Sequence, residues 1–288
     1  MQGYLGILII LVLGSGLAWA GSQGSGAAFG VPVFAICAAV AFGLNWLIFV
    51  HAWRRQTEVY FDLSGSCTYL LVIALAVVLS PEVGLRGWLL ASMVVVWAVR
   101  LGSFLFMRVR RDGGDGRFDS IKPNFSRFLF AWTLQGLWVL LTAACALAAI
   151  TGSSAPAIGI VGALGLLLWV LGFSIEVIAD RQKTAFRQRE ENRGQFITGG
   201  LWSWSRHPNY VGEILLWVGV ACLALPALEG WSYLTLISPV FVYVLLSRIS
   251  GVPMLEARGL KKWGEDASYR EHLEKTPVLF PWPRASGE

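Results

Sequence analysis

Residues 128–150 read FLFAWTLQGLWVLLTAACALAAI, twenty-three residues without a charge, and Gln135 is the most polar side chain among them. A helix needs about 20 mostly apolar residues to cross the ~30 Å hydrocarbon core of a bilayer. Working outward, comparable runs occupy Tyr4–Ala20, Gly30–Val50, Ser64–Ser80, Trp88–Met107, Ala157–Ile178, Tyr210–Leu225 and Trp231–Ile249. Composition agrees: of 288 residues, 56% are hydrophobic, 14% are charged and 14 are Trp, with a mean hydropathy of +0.61. A soluble core cannot hide that much apolar sequence, whereas a bilayer can. The expected fold is all-α: a polytopic membrane helix bundle with seven to eight transmembrane helices. The count turns on the first run. Ala18-Trp19-Ala20 resembles a signal-peptidase site, but no Lys or Arg precedes the run, so an uncleaved helix is the preferred reading.

Loop charges set the expected orientation. Arg54 and Arg55 follow the second run; Arg108, Arg110, Arg111, Arg117, Lys122 and Arg127 follow the fourth. Arg181, Lys183, Arg187, Arg189, Arg193 and Arg206 follow the sixth, and the C-terminal tail is basic too. The alternate connections carry only Arg86. The positive-inside rule then places the long loops and the C-terminus in the cytoplasm of a bacterial inner membrane-like bilayer. The +5 net charge needs no nucleic acid; membrane lipids are the expected partner. Cys37, Cys67, Cys145 and Cys222 are scattered through apolar runs, and His51, His207 and His272 lie far apart, so no metal site is expected. Residues 254–273 read as one interfacial amphipathic helix, ended by Pro277, Pro281 and Pro283. The expected division is 1–29, an N-terminal helix and linker; 30–156, an N-terminal bundle; and 157–288, a C-terminal membrane domain.

Polar residues inside or beside apolar runs are the candidate site residues, because their burial is costly. Arg100 lies well inside the fourth run, with Trp97 and Phe104 on its helix face. The loop after it, RVRRDGGDGRFDSIKPNFSR, has the glycines and cations that can wrap a phosphate, or that merely connect two spans. Glu176, Asp180 and Arg187 trace one stripe along the sixth helix. Glu58 and Asp62 flank Tyr60 before the third run, either as ordinary interfacial charge or as carboxylates facing the bundle interior. The stretch 200–217, GLWSWSRHPNYVGEILLW, joins a basic loop to an apolar helix that should start at Pro208. Asn209 and Glu213 then share a face.

SRHPNYVGE resembles the signature of the membrane reductases that include the steroid 5-alpha-reductases, and most of all their bacterial relatives of unassigned substrate. The Arg-His-Pro part is shared with the isoprenylcysteine carboxyl methyltransferases, so an S-adenosylmethionine-dependent membrane methyltransferase is the alternative. Asn-Tyr-x-Gly-Glu leans towards the reductases. The likeness is best over residues 171–282. It implies an NADPH-dependent oxidoreductase acting on CH–CH groups of a lipophilic, steroid- or isoprenoid-like enone, part of lipid metabolism. It also implies cofactor contacts from Asp180, Arg187, Asn209, Tyr210 and Glu213. Arg206 and Arg100 are added as cations suited to an anionic cofactor. No GxGxxG occurs, so a Rossmann site is not expected. The N-terminal helices would complete a lipid-open substrate cavity. Here the chain departs from the family: if Arg100 matches its later-helix Arg, the family's Tyr position holds Trp97, which has no phenolic proton. No Gln-Glu pair occurs in the early runs either. Asp62, Tyr60 and Tyr69 are the substitutes by chemistry, with Glu58 next after Asp62: apolar surroundings favour the neutral carboxyl, which can donate a proton.

Overall fold

A computed structural model describes residues 2–112, 116, 118–154 and 156–280. The chain is 78% helical, and among the described residues the one sheet is a hairpin pairing Ala27–Ala28 with Val31–Pro32. The helices are α1 (Gln2–Gly21), α2 (Val33–Arg55), α3 (Phe61–Leu79), α4 (Leu85–Asp112), α5 (Phe125–Thr151), α6 (Ile160–Gln188), α7 (Pro208–Ala224), α8 (Ile237–Val244), α9 (Val252–Trp263) and α10 (Ala267–Lys275). Among the described residues, eight helical stretches are long and apolar enough to cross a membrane. The protein is an integral membrane helix bundle. It divides into two compact units, Met1–Ala163 with Val220–Ser238, and Leu164–Gly219 with Pro239–Glu288.

The uncharged stretch 128–150 lies at the heart of the first unit. α5 packs against α1, α2, α3 and α4, and its apolar window is 83% buried, against 22% for α1. Its Gln135 and the Asn45 of α2 meet there. Gln135 Nε2 donates to Asn45 Oδ1 at 3.1 Å, Ser64 Oγ at 2.9 Å and the Phe61 carbonyl at 2.8 Å; Asn45 Nδ2 donates to Thr68 Oγ1 at 3.1 Å. In an apolar interior each such group must find a partner, and pairing them fixes the register of α2, α3 and α5. Arg86 corrects the sequence reading. It is not a loop residue but part of the first turn of α4, 4% exposed. Its guanidinium donates to the carbonyls of Leu223, near the end of α7, of Ala157 at 2.8 Å and of Pro156 at 3.2 Å. A cation at a helix C-terminus meets carbonyls that have no partner within the helix.

In the second unit, α6 has 29 residues, about 43 Å at 1.5 Å each, and so outruns a ~30 Å hydrocarbon core. Its C-terminal turns carry Asp180 and Arg187. α7 starts at Pro208, as expected from proline's fixed φ. The eighth apolar run is not one α-helix. It combines a 3₁₀ stretch (Gly230–Leu236), α8 and a π turn (Leu245–Ile249). The amphipathic helix expected over 254–273 is also corrected: it is two helices, α9 and α10. Gly264 ends α9, its N–H donating to the Leu260 carbonyl at 2.8 Å, and Asp266 starts α10 by accepting from the Ser268 N–H at 2.9 Å. A glycine followed by an N-capping aspartate is a stop and a restart. Pro281 and Pro283 lie outside the described residues.

Candidate functional site

The loop from α6 to α7 is built to hold side chains still. Gly200 has φ +64, a left-handed conformation that favours glycine, and a Cβ there would meet the Gln182 amide at 2.6 Å. That amide instead accepts from the Leu201 N–H at 2.9 Å. The Trp202 indole donates to the Ala179 carbonyl at 3.1 Å, and Lys183 Nζ sits 4.3 Å from the Trp202 ring centre. Farther along, the Arg206 N–H donates to the Pro277 carbonyl at 2.9 Å.

The end of α6, the loop after it, α9 and α10 line a cavity of about 310 Å³ within the second unit. Its cations are Lys183, Arg187, Arg206, Arg258 and Lys262, with Glu256 as its carboxylate. Its rings include Phe196, Trp263, Tyr269 and His272; Phe196 lies 4.9 Å from Tyr269 and 5.7 Å from His272 between ring centres. The Trp263 indole donates to the Gly194 carbonyl. Glu256 Oε1 is 2.9 Å from Arg206 Nη1 and 3.5 Å from His207 Nε2. Burial pushes the His207 pKa down, and the Glu256 carboxylate opposes that shift. Burial also lowers His272 and raises Tyr269. The cavity's positive charge comes from its lysines and arginines.

Arg187 and Arg206, both candidates from sequence, line this cavity. Tyr210 does not line it, but stacks on His207, which does, at 5.5 Å and 12°. Asp180, 8% exposed, and Asn209 and Glu213 belong to the same unit outside the lining. Asn209 Oδ1 is buried with no hydrogen-bond partner among the described residues. A buried acceptor left open is costly, and a ligand hydroxyl or amide would satisfy it.

The remaining candidates lie in the first unit. Arg100 places its guanidinium 5.6 Å from the centre of the Phe104 ring. Glu58 is 7% exposed and accepts from Lys122 Nζ at 2.7 Å, while Asp119 lies 3.2 Å from the same ammonium. The hydrogen bond to Glu58 lifts the Lys122 pKa. Tyr60 is 45% exposed at the start of α3, its ring edge-on to His51 at 6.0 Å. Asp62 is in the first turn of α3 and half-buried. In the basic glycine loop, residues 113–115 and Arg117 lie outside the described residues.

A family pattern described as a protein of unknown function, DUF1295, matches residues 47–276. The chain belongs to that family, the steroid 5-alpha-reductase-like one. It is also similar to 3-oxo-5-alpha-steroid 4-dehydrogenase 1 of Bos taurus, 27% identical over 122 residues, which are 41% of this chain and 40% of that protein. The matched part thus spans less than half of the relative's length. No solved structure matches the chain.

The matched pattern reaches past α7 to the tail, where sequence reasoning found only an amphipathic helix. Glu256, Trp263, Tyr269 and His272 were missed there, as were Lys183 in α6 and Phe196 and Trp202 in the loop after it. The usable signal was the spacing of the tail's aromatics behind a capping aspartate, which folds α10 back towards α9.

Proposed function

We propose that this chain is an NADPH-dependent membrane reductase that saturates a carbon–carbon double bond of a lipophilic enone. The observation that carries the reading is the second unit's cavity, where five cations and an aromatic cluster surround a single carboxylate. That donor set fits a phosphorylated nucleotide: guanidinium forks and ammonium groups meet phosphate oxygens, and rings meet a base. About 310 Å³ is at the low end of ligand pockets, so it suits one end of a dinucleotide and not its whole length. Arg187, Arg206 and Lys183 would hold phosphate. Asn209, with its open acceptor, and Glu213 would meet ribose or carboxamide groups, and Asp180 would set the position of Arg187. Arg100 is kept as a further cofactor cation in the first unit. NADPH, when bound, supplies the hydride. The chain's own task is to orient it, exclude water and meet the charge that develops on the substrate's carbonyl oxygen. For that task we assign Asp62 as proton donor, with Tyr60 beside it. Glu58 is engaged by Lys122 at 2.7 Å, which holds its carboxylate in an ion pair. The first unit would hold the lipophilic substrate.

Ligand-dependent thermal stability of the detergent-purified chain tests the reading, because a bound ligand stabilises by mass action. NADPH is expected to raise the midpoint, with S-adenosylmethionine inert; the reverse result replaces the reductase by a methyltransferase. Arg187→Ala should weaken NADPH binding roughly ten- to a hundredfold, the loss of one charge-assisted contact of about 1.5–3 kcal/mol. Unchanged affinity in a folded variant removes Arg187 from the site. NADPH is cytosolic, so the basic loops must be too. Reporters inserted within 112–121 or after residue 283 should read cytoplasmic, and reporters at Ser153 or Leu228 should face away. A tail reporter on the far side would leave the cavity without its cofactor.

A further inference from the structure

We propose that the outer face of α9 rests on the headgroup layer of an anionic bilayer, and that this seat holds one wall of the second unit's cavity. α9 is a separate helix from the apolar run before it. Gly251, with φ −72 and ψ −87, breaks the helical path after the π turn, and Pro253 lies in the first turn of α9. The 12 residues of α9 carry Arg258, Lys261 and Lys262 against Glu256. At 100° per residue the helix has two faces. Leu255, Glu256, Arg258, Gly259, Lys262 and Trp263 line the cavity. Pro253, Ala257 and Leu260 lie on the other side and are exposed, Leu260 to 53%. Lys261 borders that strip and is exposed; Arg258 and Lys262, exposed too, lie farther round towards the cavity that they also line.

An apolar strip with a lysine at one edge and two more exposed cations beyond it suits the headgroup–acyl boundary. The strip enters the upper acyl region while ammonium and guanidinium groups reach back to the headgroups. Charge chooses the occupant: a basic edge gains from anionic lipid and little from zwitterionic lipid. The seat matters because of what the inner face does. Glu256 lies 2.9 Å from Arg206 and 3.5 Å from His207, so a shift of α9 moves the carboxylate that fixes both. Tyr269 packs its hydroxyl where a side chain on Gly259 would be, so α10 follows α9.

The seat is tested without any cofactor. The full chain is placed in nanodiscs of phosphatidylcholine, with or without phosphatidylglycerol, and hydrogen exchange of the 252–263 amides is followed. Anionic discs should slow exchange by at least about fivefold, and Lys261→Glu or Leu260→Asn should shrink that difference. Equal exchange in both discs overturns the seat. So does an equal slowing by inorganic phosphate in phosphatidylcholine discs, which would make α9 a site for a free anion. The consequence for the cavity rests on the NADPH reading above. NADPH affinity should be weaker in phosphatidylcholine discs, and Lys261→Glu should reproduce that weakening in anionic ones. Equal affinity in both overturns the hold on the wall. If NADPH binds in neither disc while exchange still tracks lipid charge, the cofactor reading falls and the seat stands.

Discussion

Asp62→Asn is expected to leave NADPH binding near normal and to lower turnover by about 10² or more. Hydride addition to the β-carbon of an enone drives electrons onto the carbonyl oxygen, and a proton or a strong donor must meet them there. Of the three acidic or phenolic candidates near the start of α3, Glu58 is held by Lys122 at 2.7 Å and Tyr60 is 45% exposed. Asp62 is half-buried in the first helical turn, where asparagine fills the same volume and cannot release a proton. The competing account is that Asp62 only stabilises the positive end of α3, where a carboxylate contributes about 0.3–1 kcal/mol. The two accounts separate cleanly: a helix-end role lowers the melting temperature of Asp62→Asn and leaves turnover per folded molecule intact. A screen of quinones, steroids and isoprenoid enones, read by NADPH oxidation, supplies the substrate first. If the asparagine variant then turns over at the wild-type rate, the proton comes from elsewhere, and Tyr60→Phe is the next variant.

The spans were legible because a bilayer demands length and apolarity, which single residues reveal without any partner. α5 shows this best: its lack of charge forecast its burial among four other helices. The stripe of Asp180 and Arg187 was legible from helical spacing along α6. What stayed hidden depends on pairs remote in sequence. Arg86 reads as a loop cation until Leu223 is placed beside it, 137 residues on. The cavity's lining runs from Lys183 to Leu273 and carries no motif that announces a pocket. Glu256 reads as a surface residue of an amphipathic helix, and only its distance to Arg206 shows otherwise. The break between α9 and α10 could have been seen, because Trp263-Gly264-Glu265-Asp266 contains both a stop and a cap. Periodicity on either side of it masked the signal.

Gly212→Ala should destabilise the protein markedly, although alanine favours a helix by about 1 kcal/mol over glycine. Gly212 lies in α7 facing Gly172 of α6, and a Cβ on it would stand 2.5 Å from the Gly172 carbonyl oxygen and 2.6 Å from the Glu176 N–H nitrogen. Both neighbours are backbone, so no side chain can swing away and one helix must move. The contact recurs two turns on, where a Cβ on Gly219 would meet the Gly165 carbonyl oxygen at 2.5 Å. Small residues seven apart on both helices therefore form a seam, as membrane helices need where lipid and side chain are equally apolar. Overpacking typically costs about 1–3 kcal/mol, and more against rigid backbone, so the clash outweighs the propensity gain. The consequence reaches the candidate site, because Glu213 follows Gly212 directly and Glu176 lies one turn beyond Gly172. Gly43→Ala in α2 is the matched control: its Cβ would meet nothing within 4 Å, so only the propensity gain remains. Thermal melting in one detergent should place Gly212→Ala well below wild type and Gly43→Ala level with it or above. Gly212→Leu should fail to accumulate as folded protein. Equal melting of Gly212→Ala and wild type would mean that α6 and α7 do not touch through their glycines. Glu176 and Glu213 would then have no shared seam to hold them in place.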